Sequence, residues 1–392
     1  MPAPDAVPER LRMSSRSGSL PRSEERSRVL VESLLRRRAE FGITRVGCIT
    51  RLDRIGIPVV QVVRPLSLSN AVSQGKGLTP VQAAASALME ELEVWAGENL
   101  PRERIRTFSA KAHGPEIERL YGGSLADGAA QDWAMRPMAW IKGWDLFTAR
   151  VLPVPLSLVD TVYTLPSPHP EIFPRTTTGL GAGATMEQAI IHAALEILER
   201  DAVAAAHGMP HFFNRQQVDP DTVRAGAAGA VLDRIRQAGM LTGIWRVPAR
   251  HGLPAYWCHV MEPGDGSELA PLPAAGFGCD GTHDGALARA LLEACQARLS
   301  AISGAREDIT RRAYPASYDR GHLASWRQHL RNPDRALRFE LDASPRDLSC
   351  EDLVEALKCA GARAALVVPL HEDAETGICI VRVVAPPLRP AA

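Results

Sequence analysis

Three stretches of this chain share one design: a glycine-bearing segment runs into a long helix with carboxylates or arginines on one side. The first is residues 73–93, SQGKGLTPVQAAASALMEELE. Thr79 is placed to cap a helix with Pro80 at its first position. Val81, Ala84, Ala85, Leu88 and Leu92 then keep helical period. Ser86, Glu90 and Glu93 fall at i, i+4 and i+7, so they share a polar face that holds two acids and no cation. Residues 179–201 repeat the arrangement with Gly179, Gly181 and Gly183, then Thr185 as cap and Gln188 three residues on, a capping-box spacing. Glu196, Glu199 and Arg200 lie near the end of that helix. A third predicted helix, 285–302, carries Glu293, Gln296 and Arg298 and is followed by Arg306.

Carboxylates hold hard cations such as Mg²⁺, while arginine and the donors of glycine-rich turns hold phosphates. Recurrence of the pattern therefore points to one polyanion site with bound metal. The competing reading is three solvated helix faces with i,i+4 ion pairs. The GKG triplet is not a phosphate-binding Walker motif. Asn70 stands where its first Gly belongs, and Gly77 rather than Ser or Thr follows Lys76.

Composition removes other classes. Lys+Arg and Asp+Glu number 45 each, so no general affinity for nucleic acid or an anionic membrane surface is implied. Seven scattered cysteines without a C-x-x-C pair, and no secretory signal, fit a reduced cytoplasmic protein without structural zinc. No apolar run reaches membrane-spanning length, and the H-x-x-x-H pair formed by His207 and His211 reads H-G-M-P-H, without the glutamate that follows the first His in a zinc hydrolase.

Residues 1–28 are rich in Pro, Arg, Ser and Glu and read as a disordered tail, followed by an amphipathic helix over 28–40. Ile43–Thr50 and Ile57–Val63 read as a hairpin. Trp133, Trp140 and Trp144 read as packing rather than a stacking platform, given the apolar area each buries. Pro153 and Pro155 mark an edge strand. A helix over 223–239 and strands near 241–247 and 255–261 come before the third unit, where Cys295 reads as core. Residues 310–345 are a polar surface excursion. A helix over 350–360, strands over 363–369 and 377–384, and a Pro-rich end complete the chain.

GKG…SALMEELE, GLGAG…LEILERDA and EACQARLSAISGARED resemble the three nucleotide-binding motifs of the YcaO family, ATP-dependent enzymes that activate backbone amides. The resemblance runs through residues 40–385, and FGITRVGCITRLDRIGIPVVQVVRP is similar to the TfuA-associated branch. It implies a mixed α/β fold of several intimate subdomains around an ATP cleft. A catalytic domain over 29–385 would lie between the tail and a Pro-rich end at 386–392. Glu90, Glu93, Glu196 and Glu199 would hold Mg²⁺, with Ser86 near by. Arg200, Gln296, Arg298 and Arg306 would grip ATP. The branch implies sulfide as nucleophile, a thioamide in a ribosomally made peptide or protein as product, and a TfuA-like partner, with a homodimer as one possible assembly. Azoline-forming cyclodehydration, an accessory role in ribosomal-protein methylthiolation and a non-catalytic nucleotide-binding regulator stay open. Three features depart from the family pattern: Thr178 in place of Asn, Gln188 in place of an acid, and arginines such as Arg16 and Arg22 where a lysine is usual. Pro386, Pro387 and Pro390 also stand out of the P-x-P-x-P register of azoline-forming members.

Overall fold

The computed structural model describes residues 3–17, 24–264, 269–270, 272–305, 319–332, 336–342 and 347–388. Three antiparallel sheets carry the fold. The first is a meander of β1 (Arg45–Cys48), β2 (Val59–Val63) and β3 (Val72–Lys76). The second contains β4 (Arg106–Ser109), β5 (Pro137–Asp145), β6 (Arg150–Pro155), β7 (Leu180–Gly183), β11 (Leu366–Glu372) and β12 (Cys379–Val384). Its order is β4-β5-β11-β12-β7, with β6 paired to β5. Pro153 and Pro155 lie in β6, which pairs with β5 alone among the described strands, as expected of residues that cannot donate to a ladder. The third sheet has β8 (Leu241–Arg246), β9 (Ala255–Met261) and β10 (Ala274–Cys279), with β9 central.

Helices α1 (Val7–Ser17), α2 (Glu24–Arg36), α3 (Pro80–Glu98), α4 (Pro115–Tyr121), α5 (Met186–His207), α6 (Phe212–Arg215), α7 (Gly226–Gln237), α8 (His283–Ser303), α9 (Arg320–Arg331) and α10 (Cys350–Ala360) pack over these sheets. No described helix is long and apolar enough to cross a membrane.

The three units seen in the sequence become three strand–helix pairs, β3–α3, β7–α5 and β10–α8. Each helix starts at a threonine. The side chains of Thr79, Thr185 and Thr282 accept the backbone N–H of Gln82, Gln188 and Gly285, contacts worth about 1 kcal/mol each. Most of the glycines, however, are strand residues rather than phosphate-cradling loops: Gly75 lies in β3, Gly181 and Gly183 in β7, and Gly276 and Gly278 in β10, while Gly77 and Gly179 flank the strands. A Cβ on Gly75 would lie 1.9 Å from the nitrogen of Ala87, one on Gly181 2.2 Å from the oxygen of Ala189, and one on Gly276 2.2 Å from the oxygen of Ala290. Strand backbone and helix backbone touch directly in all three units. Glycine on one side and alanine on the other are what make that approach possible.

Each helix also packs on the strand of the next unit: α3 on β7, α5 on β10 and α8 on β3. The units therefore close into a ring. Position along the chain confirms the equivalence. Glu90, Glu196 and Glu293 each lie eleven residues after the capping threonine; Glu93, Glu199 and Gln296 lie fourteen after it.

Two expectations at the periphery change. Residues 7–17 of the expected tail form α1, which packs on α5 with Val7 fully buried and Arg10 paired to Glu372 at 2.7 Å. The expected surface excursion contains α9, whose Leu323 and Leu330 are buried and whose Trp326 stacks on Trp245. Of the three tryptophans read as packing, Trp133 and Trp140 are buried in one apolar cluster and Trp144 is packed against another. Burial pushes the Cys295 thiol up to about 12, so it is core and not a nucleophile.

Candidate active site

The inner face of the ring gathers the glutamates. Glu93 is buried and accepts a backbone hydrogen bond from Ala182 of β7. Glu199, also buried, accepts the Cys279 N–H of β10 at 3.1 Å. Gln296, the third in that series, donates its Nε2 to the Gln74 oxygen of β3 at 2.7 Å. One side chain per helix thus bonds the next strand in the ring. In the other series Glu196 accepts the Gly179 N–H at 3.1 Å, and Glu293 lies 3.4 Å from Lys76 Nζ and 3.6 Å from Arg200 Nη2. Glu90 is exposed one turn before Glu93, and its charge acts on it.

The electrostatics of these carboxylates favour added positive charge. Burial pushes the Glu93 carboxyl well above the usual range, and the charges of Glu196 and Glu90 add to the effect. Burial raises Glu196 as well, with Arg200 pulling the other way. Glu199 is pushed up to about 7, first by burial and then by Glu293. Desolvated carboxylates repelling one another favour any state that supplies positive charge, either a proton or a metal ion. Among the described residues no three His, Cys, Asp or Glu side chains already converge to hold one ion. The four carboxylates expected to hold metal are therefore gathered in one cleft but do not form a closed cage. Mg²⁺ suits such a site, because it commonly takes one or two protein carboxylates and completes its shell with water and phosphate oxygens.

Beside the acids lies a cationic pocket that the motifs did not reveal. Arg382 of β12, the strand between β11 and β7, is 4% exposed. Its Nη2 donates to the Thr176 oxygen at 2.7 Å, while Nε and Nη1 have no partner. Glu196, Glu93, Tyr163 and Asp160 all act on its charge. The segment leading into β7 supplies the rest. Arg175 Nη2 donates to Asp160 Oδ1 at 2.6 Å, and the Arg175 guanidinium sits 4.7 Å from the Tyr163 ring centre. His169 Nε2 lies 2.5 Å from Asp160 Oδ2. Tyr163 Oη and Arg175 Nε are buried without partners.

Of the expected nucleotide residues, Glu93, Glu196, Glu199 and Arg200 come together in the ring, with Glu90 about one turn before Glu93 and Ser86 about one turn before Glu90 on α3. Gln296 faces the ring but ties α8 to β3. The structure does not bring Arg298 to these residues. Its side chain is 1% exposed and bonded to Asp53 at 2.9 and 3.2 Å, to Glu262 at 2.7 Å and to the Ala270 oxygen at 3.2 Å. Arg306 lies outside the described residues. Glu293, Lys76 and Arg382 are the additions. Spacing from the capping threonines marks Glu293, and a lone arginine in the apolar strand CIVRVV marks Arg382.

The arrangement matches known proteins. A family model described as YcaO cyclodehydratase, ATP- and Mg²⁺-binding, covers residues 74–389. The chain belongs to the YcaO family. An uncharacterised protein of Mycobacterium tuberculosis is 32% identical over 367 residues, which is 89% of this chain and 78% of that one. An uncharacterised protein in the tfuA 3′ region of Rhizobium leguminosarum bv. trifolii is 29% identical over 89% of this chain and 84% of its own, which supports the TfuA-associated branch. The fold is shared with the YcaO protein of Methanopyrus kandleri bound with AMPPCP and Mg²⁺, at a TM-score of 0.65 and 22% identity over 92% of this chain and 91% of that one. A heterocyclase in complex with substrate and cofactor gives a TM-score of 0.67 at 20% identity, over 92% of this chain and 52% of the longer one. ATP and Mg²⁺ are thus the cofactors of the family, and the donor set of this YcaO ring fits them: desolvated acids for the metal, buried unpaired guanidinium and phenol donors for phosphate.

Proposed function

We propose that this YcaO protein uses Mg·ATP to phosphorylate the oxygen of a peptide backbone amide and so exchanges that oxygen for sulfur, with a TfuA-like protein supplying or assisting the sulfur. The observation that carries the ATP half is the juxtaposition of the buried Glu93 and Glu196 with the unpaired donors of Arg382. The relative from a tfuA region supports the sulfur half.

An amide carbonyl is a poor electrophile and its oxygen a poor leaving group. Hydrosulfide adds to the carbonyl carbon, and the resulting oxyanion takes the terminal phosphoryl group of ATP. Phosphate then departs as the S–H proton is lost and the C=S bond forms. ATP supplies the leaving group, and Mg²⁺ offsets the phosphate charge. The chain's own residues do the positioning. Glu90, Glu93, Glu196 and Glu199 present carboxylates for the metal. Arg200, held between Glu199 and Glu293 at 3.7 and 3.6 Å, offsets the mutual repulsion of these two acids. Asp160 fixes His169 and Arg175 on the side where Arg382 faces the acids.

Azoline formation is the second reading, since the family model describes a cyclodehydratase. The Pro386 oxygen accepts the Arg363 N–H at 2.7 Å, and Pro387 lies against Gly123, so these two prolines are engaged by residues outside the ring, which favours the sulfur reading. The deciding experiment incubates the protein with ATP, Mg²⁺, sulfide, a TfuA-like protein and a candidate peptide, and reads the product by mass spectrometry. A gain equal to replacing one oxygen by sulfur supports the proposal. Loss of one water supports azoline formation. ATP binding with no ATP consumed in the presence of any peptide or partner would favour a regulator.

A further inference from the structure

We propose that Arg382, together with Tyr163 and Arg175, receives the terminal phosphoryl group of the nucleotide. The transferring end of ATP then lies on the α3–α5 side of the ring, against the segment 160–178. This deepens the nucleotide reading above and rests on it.

The first argument is the state of Arg382. Removing a guanidinium from water costs several kcal/mol unless its donors and charge are both met. Arg382 is 4% exposed, yet it has one hydrogen bond, to the carbonyl of Thr176, and two donor nitrogens with none. Burial and charge are met elsewhere in this protein. Arg298 is equally buried and has two carboxylates and a carbonyl. Arg64 is likewise buried and is paired with Glu91 and Glu98. Arg382 is the exception, and a buried unpaired donor calls for an explanation.

The second argument is what surrounds it. Tyr163 Oη and Arg175 Nε are also buried and unpartnered, and both residues are close enough to Arg382 or to each other to interact electrostatically. Four unpartnered donor atoms on three side chains therefore gather beside Glu93 and Glu196. An anion satisfies the donors, and a cation satisfies the acids. A metal-bound phosphoryl group brings both charges at once, and an arginine fork matches its oxygens two at a time. The remaining ring cations are differently placed. Lys76 and Arg200 already face Glu293.

The experiment is calorimetric titration of the full chain with Mg·ADP and with Mg·AMPPCP, for the wild type, Arg382→Gln and Tyr163→Phe. The wild type is expected to prefer the triphosphate analogue. Arg382→Gln is expected to lose about 10–100-fold in AMPPCP affinity, the loss of charge-assisted bonds, while its ADP affinity stays within about twofold. Tyr163→Phe shifts the same ratio by a smaller factor. Equal losses for ADP and AMPPCP, or no loss for either, in folded Arg382→Gln would overturn this proposal and leave the nucleotide site standing. A wild type that binds neither nucleotide would overturn both. If Arg382→Gln binds neither nucleotide because it does not fold, Tyr163→Phe decides alone: an unchanged AMPPCP-to-ADP ratio refutes the assignment, and a lowered ratio supports it.

Discussion

Arg298 and Arg382 are buried to nearly the same extent, 1% and 4% exposed, yet they do opposite things. Arg298 bonds Asp53 in the link from β1 to β2, Glu262 just after β9 and the Ala270 carbonyl, so it pins the first and third sheets to α8. Nothing in that network is left for a ligand. Arg382 lies in β12, between β11 and β7, with two unpartnered donors and with Glu93 and Glu196 acting on its charge. Burial alone therefore does not tell a structural arginine from a ligand-binding one. The partners do.

Breaking the first network should have the largest effect. Arg298→Met leaves Asp53 and Glu262 buried without their counter-charge, and should destabilise the chain by about 3–5 kcal/mol in urea unfolding. An unfolding midpoint equal to wild type would show that the network contributes nothing and would undo the contrast.

Protonation gives an intermediate effect. Glu199 sits at about 7, well above its ordinary carboxylate value. Between that ordinary range and pH 7 the folded, ligand-free chain holds a proton that the unfolded chain has released. Stability from this group is thus complete at low pH and is lost as pH rises through 7. Metal binding displaces the same proton, so Mg·nucleotide affinity should rise about tenfold from pH 6 to pH 8. Glu199→Gln should flatten both curves. A nucleotide affinity independent of pH in the wild type would mean that Glu199 does not face the metal.

The smallest change in stability belongs to the second arginine. Arg382→Met, measured without nucleotide, should alter unfolding free energy by no more than about 1 kcal/mol, because it trades a buried charge with unmet donors for apolar surface. A loss as large as that of Arg298→Met would make Arg382 structural too.

Much of this was legible in the sequence, and the failures have physical causes. The helices of the three units, their threonine caps and the acids on α3 and α5 follow from period and capping chemistry. Glycine next to a helix start usually marks a turn. Here it marks close contact between strand and helix, which depends on tertiary packing that a local pattern does not contain. Arg298 was placed in the site by its neighbourhood in a motif. Helical phase argues otherwise: at roughly 100° per residue it lies about 140° around α8 from Glu293, on another face. Arg382 escaped because it stands alone in a strand remote in sequence from every motif. Its meaning appears only when β12 is laid between β11 and β7 and its side chain meets the acids of α3 and α5.

The most direct test of the ring as a Mg·nucleotide site is titration of the wild type and Glu196→Gln with AMPPCP, with and without Mg²⁺. Glu196 is the suitable variant because it acts on both Glu93 and Arg382. The account predicts binding that requires Mg²⁺ in the wild type and falls by at least about tenfold in the variant. Binding that is indifferent to Mg²⁺, or as tight in Glu196→Gln as in the wild type, would contradict it.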